Sequence, residues 1–165
     1  ALSEILFSEA TLEQNKETHV LVAVFPLSIL EIRGKATADQ RLFYNQDWYN
    51  NQSFAKEKCE TGWQLVRKTP IANSTSKTWS EQQALLADNE ETPTARVMIY
   101  TIIGHFLATG ERLFEIVYVR CCDLDSNGIH VRVGCFDQDG LSINSCWDGY
   151  RSDGIGLSSS LKFKD

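Results

Sequence analysis

Residues 93–109, PTARVMIYTIIGHFLAT, decide how this chain folds. Apolar side chains stand at Val97, Met98, Ile99, Tyr100, Ile102, Ile103, Phe106, Leu107 and Ala108. A helix with one face on a core needs a single apolar stripe, and this set spreads well beyond one. The spacing therefore predicts a helix covered around most of its circumference. Thr92 suits its N-cap, Pro93 its first helical position, and Gly110 the position just past its last turn. Gly104 interrupts the run, although glycine is about 1 kcal/mol worse than alanine inside a helix. Close approach of another backbone is the expected reason.

Beyond Gly110 the period changes from helical to alternating. Residues 112–121 (RLFEIVYVRC), 129–136 (IHVRVGCF) and 141–147 (LSINSCW) read as consecutive antiparallel strands. Asp- and Gly-rich turns at 123–128 and 137–140 join them. A last strand over 155–163 is weakened by its serines.

Upstream, residues 19–25 (HVLVAVF) are near-continuously apolar, which suits a strand covered on both faces and ended by Pro26. Residues 63–69 (WQLVRKT) alternate as a half-buried strand. Thr78 and Glu81 have capping-box spacing, so a shorter helix is expected over 78–87, with Trp79, Ala84 and Leu85 inward. The fold class is α+β: one domain over residues 1–165, mainly an antiparallel sheet packed by helices 93–109 and 78–87. Residues 1–18 read as an arm that packs on the domain or on a neighbouring chain. No repeat or linker divides the chain.

Composition narrows the function. A chain of 165 residues, 42 % hydrophobic and 23 % charged, is an ordinary folded protein. Its net charge of −6 and two short basic runs, Arg67-Lys68 and Lys162/Lys164, argue against a nucleic-acid partner. No apolar run reaches the ~20 residues of a membrane span. Five cysteines, two of them adjacent, do not make a disulfide framework. Reduced thiols in the cytoplasm are expected, with a secreted mature chain as the alternative. No cofactor is expected.

Three groups of residues are candidates for chemistry. Asp123, Asp125 and Asn127, with Gly128, match the first half of a calcium loop. The twelfth position is Gly134, where a bidentate Glu belongs, and the flanks are strands. Cys121 and His130 should face each other across the 123–128 turn, offering a thiol and a base. His105, on the least apolar strip of the long helix, has Glu111 or Arg112 as neighbours. For binding, Trp48 and Tyr49 belong to an aromatic-dense polar segment, FYNQDWYNNQ, and Trp147 ends the strand region. The segment around Trp48 reads either as a contact surface or as packing beneath a loop.

The familiar phosphate-loop, dinucleotide, zinc-protease and nucleophile-elbow signatures are absent. A non-enzymatic binding or structural module follows, with a protein or small-molecule partner and self-association into a homo-oligomer as one mode. A small hydrolase or transferase using a histidine with a carboxylate or thiol is the alternative. A calcium-stabilised extracellular module is the third reading.

Overall fold

A computed structural model describes residues 2–163; Ala1, Lys164 and Asp165 lie outside. The chain is α+β, with two mostly antiparallel four-stranded sheets. After a short helix α1 (Glu9–Asn15), β1 (His19–Val24) pairs along its whole length with β2 (Gly62–Arg67), from His19 opposite Arg67 to Val24 opposite Gly62. Between them lie α2 (Ile29–Lys35), closed at its start by a Ser28/Glu31 capping box, and the one-turn α3 (Ser53–Lys56). Next come α4 (Trp79–Gln83), the two-residue β3 (Glu90–Glu91), and α5 (Ala95–Thr109). The C-terminal region supplies β4 (Tyr118–Leu124), β5 (His130–Asp137), β6 (Gly140–Ser145), β7 (Ile155–Leu157) and β8 (Ser160–Leu161).

The strands divide differently from the expected single main sheet. One sheet runs β1-β2-β8-β3 and the other β6-β5-β4-β7, with β4 and β7 parallel. The final segment crosses between them, with β7 in one sheet and β8 in the other. One serine of this segment, Ser158, and one from the connector before α4, Ser74, serve the crossover. Ser158 Oγ donates to Arg67 O at 3.0 Å, and Ser74 Oγ accepts from Leu157 N–H at 3.0 Å. Both bonds satisfy backbone groups that the break in pairing leaves over.

Helix α5 touches β1 and β2 of one sheet and β4 and β5 of the other. Met98, Ile99 and Ile102 are fully buried in one cluster with Val24 and Val66 on one side and Val119, Val133 and Ile143 on the other. Its N-terminus starts two residues later than expected. Thr94 is the N-cap and accepts from Val97 N–H, while Pro93 stays outside and gives its carbonyl to Cys122 N–H. Asp123 reaches across from β4 to accept Ala95 N–H at 2.6 Å. Helix α4 has the Thr78/Glu81 capping box but ends at Gln83, four residues short of the expected end. Gln82 is its buried residue, and Ala84 is exposed.

Within the aromatic segment Trp48 and Tyr49 pack inward, while Tyr44 is exposed. Residues 42–48 lie along the edge of β6 as a strap. Leu141 N–H donates to Leu42 O, and Tyr44 N–H donates to Leu141 O, each at 3.0 Å. Trp48 Nε1 donates to Ile143 O at 2.7 Å, and Gln46 Oε1 accepts from Ile143 N–H at 2.9 Å. Four edge groups that would otherwise face solvent are thereby paired. Tyr49 is 0 % exposed beneath this strap, and Trp48 packs against Phe54.

Candidate functional site

Where the strap leaves the sheet, a second loop is held even more firmly. Arg120, on β4, is 0 % exposed and directs its guanidinium at the loop that follows β6. Nη2 donates to Tyr150 O at 2.6 Å and Trp147 O at 3.1 Å. Nη1 donates to Lys77 O at 2.8 Å and Gln82 Oε1 at 3.0 Å, and Nε donates to Cys146 Sγ at 3.3 Å. These five contacts match the five N–H donors of a guanidinium. None of these partners is a carboxylate, so backbone and amide dipoles carry the buried charge. Gln82 continues the network, donating to Ser74 O at 2.8 Å and Ile155 O at 3.3 Å.

The loop is stitched to residues 76–81 from outside as well. Trp79 N–H donates to Asp148 O and Ser76 N–H to Ser152 O, each at 2.8 Å. Arg151 forks onto Glu81 at 2.5 and 2.8 Å. That guanidinium, and then the Thr78 backbone N–H, hold the Glu81 carboxyl down at about 2. His130 Nδ1 donates to Asp148 Oδ1 at 2.6 Å, and its ring stacks on Trp79 at 3.6 Å between centroids.

With its backbone fixed in this way, the loop holds two rings out to water. Trp147 is 69 % exposed and Tyr150 52 %. Leu124, directly opposite His130 in the β4/β5 ladder, adds an exposed apolar side chain on the same face. Of the candidates read from sequence, His130 and Trp147 come together here. Asp148, Trp79, Tyr150 and Arg120 were missed. The one signal for Arg120 is a charge beside Val119 and Cys121 in a strand otherwise bound for the core.

The other candidates go elsewhere. Cys121 does not face His130, because the β4/β5 register shifts between Arg120 and Leu124 and sets Leu124 there instead. Its thiol lies in the core, where burial pushes it well above the ordinary cysteine range. All five cysteines are unpaired. Asp123 caps α5, and Asp125 Oδ1 accepts from Asn127 and Ile129 N–H within its own turn. The two carboxylates thus serve separate backbone groups. Among the described residues no three His, Cys, Asp or Glu side chains gather as metal ligands. His105 Nε2 meets Glu111 Oε1 at 3.0 Å at the C-terminal end of α5.

A cleft of about 630 Å³ opens between residues 3–6, β2 and the start of α5, walled by Trp63, Val97, Arg96 and Cys122. None of His105, Cys121 and His130 lines it. Among the described residues no helix is long and apolar enough to cross a membrane. Comparison with protein-family models, curated proteins and solved structures yields no match to this chain.

Proposed function

We propose that this chain is a non-enzymatic binding module whose contact surface is the loop carrying Trp147 and Tyr150. The observation behind this reading is the pairing of two exposed rings with a backbone that Arg120 holds at both residues. Large aromatics in water are unfavourable unless something covers them, and Trp and Tyr dominate binding hot spots. A loop already ordered gives up little further freedom when a partner arrives. The partner is a protein or a small molecule with an apolar face.

Peptides selected by display on the wild-type protein provide the test. They should lose binding to Trp147→Ala/Tyr150→Ala while the circular dichroism of that variant stays native. Selected ligands that hold both proteins equally would remove the loop from the function.

A hydrolase is the second reading, favoured by one contact. Asp148 takes His130 by Nδ1, the arrangement that leaves Nε2 for base work. Turnover of simple ester or phosphate substrates, abolished by His130→Gln, would move the function to this pair.

A further inference from the structure

Arg132, on the central strand β5, is a cation that nothing in the chain answers. Its register partners are Arg120 on β4 and Asn144 on β6. Residues directly opposite in a ladder project from the same face, so two guanidiniums leave the sheet side by side. Like charges so placed oppose folding unless something neutralises them. Arg120 is answered by the carbonyls and the amide described above. Arg132 is not. Among the described residues it donates no hydrogen bond and forms no ion pair, and its Nε is buried without an acceptor. The carboxylates at the two ends of β5 are committed elsewhere. Asp148 accepts from His130, and Asp137 Oδ1 accepts from Asp139 N–H at 2.8 Å.

The Arg132 side chain is nevertheless posed. Its guanidinium carbon lies 4.4 Å from the centre of the Tyr118 ring. Tyr118 OH accepts from Asn144 Nδ2 at 3.0 Å, and Asn144 Oδ1 accepts from Gln46 Nε2 at 3.3 Å. The strap, β6 and β4 thus fix the ring on which the cation rests. A guanidinium over a ring can still offer its N–H edge to an acceptor. Register sets this fork beside the exposed loop. His130, two residues before Arg132 and on the same face, holds Asp148, while Arg120, directly opposite, holds the Trp147 and Tyr150 carbonyls.

We infer, resting on the reading of this loop as the contact surface, that its partner is an acidic peptide segment. An Asp or Glu carboxylate of that segment meets Arg132, and an apolar residue beside it covers Trp147 or Tyr150. The planar fork matches a carboxylate with two parallel N–H···O bonds. A side-chain carboxylate suits this face better than a chain terminus. Terminal carboxylates are captured by cradles of backbone N–H groups, and those of β5 are spent on its neighbouring strands.

Peptides selected by display on the wild-type protein provide the test, with binding read by fluorescence anisotropy. They should be enriched in Asp or Glu, and changing that peptide residue to Gln should weaken binding at least about tenfold. Arg132→Gln should impose the same loss on the acidic peptide and none on its Gln counterpart. Arg132→Glu should reverse the preference and bind the Lys counterpart best, which a variant damaged only in its folding would not do. Acidic peptides that hold Arg132→Gln as tightly as wild type, yet lose binding to Trp147→Ala/Tyr150→Ala, overturn the inference and leave the loop as contact surface. Peptides indifferent to both sets of variants overturn the loop reading as well, and so does a library that yields no binder.

Discussion

At the scale of single residues, Arg120 is the side chain whose replacement has the widest effect. Arg120→Ala leaves the part-buried carbonyls of Lys77, Trp147 and Tyr150 without their donor, and a hydrogen bond to a charged group contributes about 1.5–3 kcal/mol. A loss of at least ~3 kcal/mol in urea unfolding is expected. Hydrogen exchange at residues 147–151 should accelerate with it. Arg120→Lys should not restore either, because one ammonium cannot reach carbonyls on both sides of a planar fork. Glu81 gives a pH prediction. Its folded value, about 2, lies below the ordinary 4.5, so the unfolded chain binds the proton more readily. The stabilisation is complete above 4.5 and is lost as pH falls through about 2. The stability gap between wild type and Glu81→Gln should therefore be constant near neutrality and close toward pH 2; a gap that persists there would contradict the assignment. Little of this could be read from residue order. Arg120 looks like any strand arginine until its five acceptors, drawn from two separate stretches of chain, are brought around it.

Elements were more legible, because their signals are local. The Thr78/Glu81 capping box, the long apolar helix and the strands after Gly110 follow from spacings of four residues or fewer, although the first of those strands begins at Tyr118 rather than Arg112. Strand partition did not, since nothing near residues 19–24 says that their sheet excludes residues 118–145. The strap at 42–48 shows the same limit. Its aromatic density is plain in the sequence, but that Trp48 spends its indole N–H on Ile143 O depends on a contact 95 residues away. Gly140 lets the strap lie so close. A Cβ there would stand 2.5 Å from Phe43 C and 2.6 Å from Tyr44 N, and its φ of +108° disfavours any side chain. Gly140→Ala should lower stability by ~2–4 kcal/mol and lift the strap. Trypsin should then cut at Arg41, and the bared β6 edge should promote aggregation. An unchanged digestion pattern would mean that the strap does not depend on this close passage.

For the molecule as a whole, α5 packs against strands of both sheets. Ile102 is fully buried in the cluster that both sheets share. Ile102→Ala should cost about 2–5 kcal/mol, and hydrogen exchange should show β1/β2 and β4/β5 losing protection by the same amount. A loss confined to one sheet would mean that the two halves fold separately. The apolarity of 93–109 made a long helix readable in advance, of which the buried residues fall within 95–103 and Leu107 is exposed. The exposed end of this helix was not readable, because an exposed Leu107 and a buried Ile103 look alike in a helix apolar on every side. The anchoring of the loop that carries Trp147 and Tyr150 has one last consequence. A guanidinium keeps its proton at any pH a protein survives, and Arg120 is buried away from screening ions. Acid and alkali therefore leave in place the donors that hold the Trp147 and Tyr150 carbonyls. The acid-sensitive hold on the loop lies at its rim, in the clasp of Arg151 on Glu81.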